Sequence, residues 1–293
     1  MKTYIRNFSL SEAIKLYRFH YADMAAGIST AIKNTDEIVS RIEKQLGQEL
    51  ADQNILEIGP GQRAVQRFYF SKKNRYVGID IEVPRSGNPY RNFIQDMREA
   101  GLPRAIKSGV RCVIGLDRRY AQEIARQVGS DHPPGEILKM DAAEMAFEDQ
   151  TFDVAYSQSV FERLPDVASV TSEIRRILRP GGVAAILTHL YTSDSGIHDP
   201  RLFGQRADLP YWAHLRPEHS HLVRANAYLN EMRLDAYRKI FSEAWPGVKF
   251  EYFGHAPETV AALRDLRSKG ELEQYTDEEL LTDVLRAIWR KPA

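Results

Sequence analysis

The chain has 293 residues, 40 Lys+Arg against 40 Asp+Glu, and a single cysteine, Cys112. Neutral net charge gives no drive for bulk binding to nucleic acid or to a membrane surface, and a lone cysteine excludes an intramolecular disulfide framework. Apolar residues at 43% and charged residues at 27% belong to a chain that folds, and the length suffices for one large α/β domain with additions.

The first 20 residues carry charges every few positions and lack the apolar core of a secretory signal. No run approaches the ~20 apolar residues of a membrane span. With the lone cysteine, this predicts a cytoplasmic setting. Residues 9–26 read as a helix, because Ser9 and Glu12 have capping-box spacing and Leu10, Ala13, Ile14, Tyr17, Tyr21 and Met24 share a face. A second helix is expected over 36–46, with Ile38, Ile42 and Leu46 in register and Gly47 as its stop. Residues 1–50 are therefore expected to form an N-terminal helical lid ahead of a main domain at 51–293. Residues 54–58 are a short apolar run entering Gly59-Pro60-Gly61, which reads as a buried strand and a tight turn. A helix at 63–72 and a strand at 76–81 (YVGIDI) follow.

Residues 84–130 interrupt this rhythm. Pro84, Gly87, Pro89, Gly101 and Pro103 break the first part, and 104–128 looks helical. This mostly helical insertion carries nine Arg/Lys against four acids. Such a face suits a phosphate- or carboxylate-bearing partner, or is simply a solvated helix side. Alternation then resumes with strands at 136–140 and 152–157, a helix at 167–178, the turn Arg179-Pro180-Gly181-Gly182 and a strand at 183–188. An irregular, substrate-side loop is expected at 189–225. A helix at 226–244, a strand at 248–253, helices within 257–282 and a strand at 283–289 complete the chain. The pattern predicts a Rossmann-like α/β fold: a seven-stranded, mostly parallel sheet with helices on both faces, an N-terminal helical lid and a helical insertion.

The turn has two readings. As Gly59-x-Gly61-x-x-Ala64 it could seat a dinucleotide pyrophosphate on a helix N-terminus, as in an NAD-dependent oxidoreductase. Glu57 argues against that, since a carboxylate faces a pyrophosphate with the wrong sign. It suits a ligand bearing an amino group and a sulfonium. Asp80, with Ile81 beside it, ends the second strand about 20 residues after the glycines, where an acid takes ribose hydroxyls. Asp117 before RRYAQEIARQ is a second candidate, less favoured because Asp80 needs no inserted strand. Asp141-Ala142 ends the third strand, where a carboxylate can accept from an adenine amino group.

In order and spacing, Glu57-x-Gly59-Pro60-Gly61, the acid after strand two, Asp141-Ala142 and Leu178-Arg179-Pro180-Gly181-Gly182 resemble the class I S-adenosylmethionine-dependent methyltransferases. The resemblance spans about residues 50–190 and implies S-adenosylmethionine as cofactor. It also implies that Ser157 and Gln158, after the fourth strand, lie beside the cofactor's methionine part. Two departures stand out: Arg63 replaces a frequent third glycine, and Glu162-Arg163-Leu164-Pro165 replaces a frequent Glu-His-Leu-Pro. Arg163 reads as a solvated residue or a substrate contact. Within the run from His189 through His221, residues 189–219 further resemble a bacterial group of these enzymes with an HLYTSDSG-type loop, as does much of the C-terminal part.

That run holds five of the eight histidines, His189, His198, His214, His219 and His221. It should sit at the carboxyl edge of the sheet. Alignment of nucleophile and methyl carbon is the main catalytic need, and a hydroxyl acceptor also benefits from a base. His189 is the first candidate base, and His198 with Asp199 the second. His219 and His221 lack a compact ligand motif and read as surface residues, so no metal is expected. The expected activity is O-methylation of a small, sugar-like or anionic acceptor. The alternatives are N-methylation, the NAD-dependent oxidoreductase, and a non-catalytic S-adenosylmethionine-binding protein.

Overall fold

The computed structural model describes residues 24–61, 64–83, 97, 116–130, 134–202, 209–225, 227–254 and 256–293. The first 23 residues of the expected lid and most of the insertion (84–96 and 98–115) lie outside them. Where a break between two helices was expected, one helix, α1 (Met24–Leu46), runs straight through. Its apolar register is continuous, with Ile28, Ile38 and Ile42 all buried. Thr35, a poor helix former, is also buried, and its hydroxyl donates to the Ala31 carbonyl at 2.7 Å.

Seven strands form one sheet: β1 (Asn54–Ile58), β2 (Arg75–Asp80), β3 (Glu136–Lys139), β4 (Phe152–Gln158), β5 (Leu178–His189), β6 (Lys249–Phe253) and β7 (Val284–Arg290). Their order is β3-β2-β1-β4-β5-β7-β6. β1 to β5 pair in parallel, while β7 lies antiparallel to both β5 and β6. The period-2 pattern divides the core into two layers. Leu56, Ala155, Ala184 and Ile186 face one side, under α4 (Val167–Ile177) and α5 (Leu234–Ala244). Ile55, Val154, Tyr156, Val183 and Ala185 face the other, under α1 and α2 (Val65–Ser71). Of the segment 1–50, then, the helix α1 contributes Ile38 and Ile42 to the core. α3 (Leu116–Val128) packs Ile124 and Val128 against Ile28 and Val65. α6 (Pro257–Ser268) and α7 (Asp277–Leu281) pack on Trp212 and Leu215.

A second correction concerns the helix expected at 226–244. It starts only at Leu234, because Asn230 is used elsewhere. The Asn230 amide donates to the Phe161 and Leu164 carbonyls, and its backbone N–H donates to Glu162 O. This tertiary anchor outweighs the local helical preference.

The β1–β2 crossover runs through α2 on one face and the β4–β5 crossover through α4 on the other. A crevice therefore opens between the carboxyl ends of β1 and β4.

Candidate functional site

The turn after β1 occupies that crevice. Gly59 and Gly61 both have left-handed backbone, φ +69° and +64°. A side chain costs energy at either place, but for different reasons. A Cβ on Gly59 would stand 2.3 Å from Cγ2 of Val160, so the backbone there packs against the segment after β4. A Cβ on Gly61 would meet nothing within 4 Å among the described residues. Gly61 thus borders open space, a cradle for a ligand lying against the backbone. Pro60 is buried beneath it, its Cγ near Gly78 of β2.

Asp80 closes one end of the turn. One carboxylate oxygen accepts from the Gly61 amide at 3.3 Å and the other from the Glu82 amide at 2.8 Å. Burial raises the Asp80 carboxyl above its ordinary range against the pull of these two amides. Ile81 beside it is 68% exposed, a bare apolar side chain at the carboxyl edge. β2 lies directly between β1 and β3, so Asp80 needs no inserted strand to stand here. Asp117 falls in the first turn of α3. At the end of β3, Asp141 is exposed and accepts from the Ala143 amide at 2.8 Å, while Ala142 is buried.

Glu57 differs from its expected character. It is 2% exposed, and the Tyr76 hydroxyl donates to it at 2.6 Å. Burial pushes its pKa up to about 8; the Tyr76 hydrogen bond opposes the shift and the charge of Asp80 adds to it. At neutral pH a large fraction is protonated, so its charge is a weaker discriminator between ligands than the sequence suggests.

After β4, Ser157 is fully buried and donates to the Ile58 carbonyl at 3.0 Å, tying β4 to β1 just before the glycine turn. Gln158 is half-buried and accepts from Tyr156 at 2.5 Å and Gln66 at 3.2 Å. A single 3-10 turn, Phe161–Arg163, then carries the chain across the crevice. Its first neighbour, Val160, touches Gly59. Its Glu162 carboxylate accepts from Thr188 Oγ1 at 3.0 Å and from the His189 amide at 3.4 Å. One short segment therefore joins the glycine turn to the end of β5.

There the two candidate histidines meet. The His189 and His198 rings pack edge to face at 5.1 Å, with an interplanar angle of 81°. His198 has left-handed backbone (φ +53°), and its Nε2 lies 3.7 Å from Glu162 Oε1. Burial, then His189 and the Arg163 guanidinium, push the His198 imidazole down to about 3, so it is neutral at neutral pH. Asp199, expected beside it as a partner, is fully buried and turned elsewhere. Its carboxylate receives both ends of Arg201, at 3.0 and 2.6 Å, and the Arg224 amide at 2.7 Å. These donors outweigh the upward push of burial and hold Asp199 below its ordinary range.

The carboxylate facing His198 is Glu162, which the sequence reading passed over. The signal was an acid directly after the apolar pair Val160-Phe161, and only tertiary structure shows that it is buried. Arg163, by contrast, is exposed at the mouth. The rest of the loop is irregular but packed: His214 is buried with its Nε2 2.7 Å from Tyr191 O, and Trp212 Nε1 donates to Thr192 O at 3.1 Å. His219 lies beside Glu218 and His221 is exposed. Among the described residues no cluster of His, Cys, Asp and Glu could hold a metal ion.

A glycine against open space at Gly61, two carboxylates at the ends of adjacent strands and a polar wall after β4 fit an adenosyl ligand with an amino-acid tail. A family model described as a methyltransferase domain matches residues 100–186, which takes in Asp117, Asp141 and the Arg179–Gly182 turn. The phosphatidylethanolamine N-methyltransferase of Cereibacter sphaeroides is 32% identical over 101 residues, covering 33% of this chain and 49% of its own. The sterol 4-C-methyltransferase of Caenorhabditis elegans is 40% identical over 58 residues, covering 20% of this chain and 17% of its own. The chain thus spans less than half the length of these relatives. A solved Haemonchus contortus phosphoethanolamine N-methyltransferase 2, in complex with S-adenosyl-L-methionine, is 16% identical with a TM-score of 0.47, over 88% of this chain and 53% of its own. The chain therefore carries a methyltransferase domain of the S-adenosylmethionine-dependent kind. Its cofactor is S-adenosylmethionine, in place of the dinucleotide considered for the glycine turn.

Proposed function

We propose that the chain methylates the hydroxyl of a small polar, sugar-like or anionic acceptor, with His189 as the base. The observation that carries this reading is the Val160–Glu162 segment, which links the Gly59 turn to the His189–His198 pair across one crevice. S-adenosylmethionine, when bound, supplies a methyl group on a sulfonium. Asp80 would receive its ribose hydroxyls and Asp141 its adenine amino group, with Ile81 against the adenine ring. Glu57, Ser157 and Gln158 would line the methionine end. The methyl would reach the acceptor oxygen as the sulfonium's methyl–sulfur bond breaks to leave a neutral thioether, and His189 would take the acceptor's proton and pass it to water. His198 stays neutral behind it, and exposed Arg163 supplies a cation for an anionic acceptor group.

The N-terminal end of α1 packs on Val65, four residues beyond Gly61. Of the lid expected at 1–50, α1 is thus part of the main domain, and residues 1–23 lie outside the described residues. Among the described residues no helix is long and apolar enough to cross a membrane, and the lone cysteine favours the cytoplasm.

The test is transfer of labelled methyl from S-adenosylmethionine into a metabolite library. His189→Ala should lower kcat about 10²- to 10⁴-fold while S-adenosylhomocysteine affinity holds. Full activity in both His189→Ala and His198→Ala would sink the base. N-methylation is the second reading, favoured by the match to an N-methyltransferase of C. sphaeroides. Labelled product that resists base and carries a methylamine would establish it.

A further inference from the structure

Glu162 lies in the 3-10 turn after β4, is 2% exposed, and divides its carboxylate between two tasks. Oε2 is spent on Thr188 and the His189 amide. Oε1 is buried, has no hydrogen-bond partner among the described residues, and faces His198 Nε2 at 3.7 Å. A buried carboxylate oxygen without a donor is costly, of order 1–3 kcal/mol or more, and natural structures keep few of them. The side chain could not have drifted here. Asn230 fixes its backbone by donating its side-chain amide to both flanking carbonyls, Phe161 O and Leu164 O, at 2.8 and 3.0 Å and its backbone N–H to Glu162 O at 2.9 Å, while its Oδ1 accepts from the Met232 amide and the Tyr237 hydroxyl. His198 is equally constrained, held in a left-handed backbone that a β-carbon disfavours. Strain of this kind and an underused buried charge converge on one imidazole, whose ring in turn packs on His189.

We propose that Glu162 is a positioning residue of the acceptor site: its carboxylate keeps the proton of His198 on Nε2 and thereby fixes the ring against which His189 is set. This rests on the reading of His189 as the base. A 3.7 Å gap closes to a hydrogen bond with a small shift of either side chain, and active-site hydrogen bonds commonly tighten when ligands bind. The arrangement is a carboxylate–imidazole pair placed behind the reacting imidazole, so that one ring orients another. It explains why Asp199, adjacent in sequence, is free to serve the loop instead.

The experiment is nitrogen NMR of the full chain labelled with ¹⁵N-histidine and saturated with S-adenosylhomocysteine, resonances being assigned through His189→Ala and His198→Ala. At pH 7, His198 should be neutral with its proton on Nε2. In Glu162→Gln the new amide can donate to Nε2, so the proton should move to Nδ1 and the His189 resonances should shift. A wild-type His198 with its proton on Nδ1 overturns the proposal, and this arm stands even where Glu162→Gln fails to fold. A Glu162→Gln spectrum equal to wild type also overturns it. In the library assay Glu162→Gln should cut kcat about tenfold with KM for S-adenosylmethionine unchanged. Full turnover of His189→Ala would remove the base while leaving the His198 tautomer to report on Glu162.

Discussion

Two glycines one residue apart should respond differently to the same substitution. Gly59→Ala places a Cβ 2.3 Å from Val160 Cγ2 on a backbone with φ +69°. The left-handed conformation costs about 1–2 kcal/mol for a residue with a β-carbon, and overpacking costs about 1–3 kcal/mol more. The expected loss of folding stability is therefore about 2–5 kcal/mol. Gly61→Ala has φ +64° and no neighbour within 4 Å among the described residues. Only the backbone term applies, about 1–2 kcal/mol. Its Cβ instead fills the space assigned to the cofactor, so S-adenosylhomocysteine affinity should fall at least about tenfold, or 1.4 kcal/mol. Urea denaturation reads the first quantity and calorimetric titration the second. The double variant Gly59→Ala/Val160→Ala should recover the contact term and not the backbone term. Gly61→Ala with wild-type affinity would refute the turn as the cofactor floor. Gly59→Ala with wild-type stability would refute the packing argument.

Stability should peak near pH 6.5. Above it, Glu57, raised to about 8, is the form-sensitive group: the fold favours its protonated form, so stability is lost as pH rises toward 8, at up to about 1.4 kcal/mol per pH unit, and Glu57→Gln should flatten that limb. Below it, His198 and His214, lowered to about 3 and about 4, refuse protons that the unfolded chain accepts, so stability falls with pH; among denaturation midpoints at pH 5, 6.5 and 8, a rising series would contradict the Glu57 assignment, a falling one the histidines, and a flat one both. Asp80→Ala should weaken S-adenosylhomocysteine binding about tenfold and Asp117→Ala should leave it unchanged; the reverse result would move the ribose site to α3. Deleting residues 1–23 leaves α1 in the core, so the chain should fold but turn over more slowly; normal turnover would remove the lid.

The sheet was legible because the parallel strands are short apolar runs alternating with helices that carry a 3.6-residue apolar stripe. Asn54–Ile58 into Gly59-Pro60-Gly61 is the clearest case. The continuity of α1 was not legible, since Gly27, Thr30 and Thr35 look like breakers until burial of Ile28 and Thr35 is known. Nor was the late start of α5, because nothing local shows that Asn230 is committed to Phe161 and Leu164. The same limit applies at the site. The glycines and Asp80 are close in sequence to what they touch or follow a strand by rule. Glu162 and His198 are 36 positions apart, and only the sheet brings them together.

The pairing of His198 with Asp199 shows how sequence adjacency misleads. A histidine next to an aspartate suggests a dyad, but successive side chains in an irregular turn diverge, and Asp199 serves Arg201 and the Arg224 amide instead. This redistributes the roles of the two histidines. A base held at about 3 is already deprotonated at every working pH and is too weak to gain much from taking a proton, because efficiency peaks when the base's pKa lies near the pH of operation. If His198 were the base, the rate would be flat from pH 5 upward. A rate that climbs between pH 5 and neutrality therefore excludes His198 as the base. Measured in His198→Asn, the same climb should persist at reduced amplitude, because the ring that sets His189 is lost while the proposed base is kept. Loss of the climb in His198→Asn, with its retention in His189→Asn, would invert the assignment.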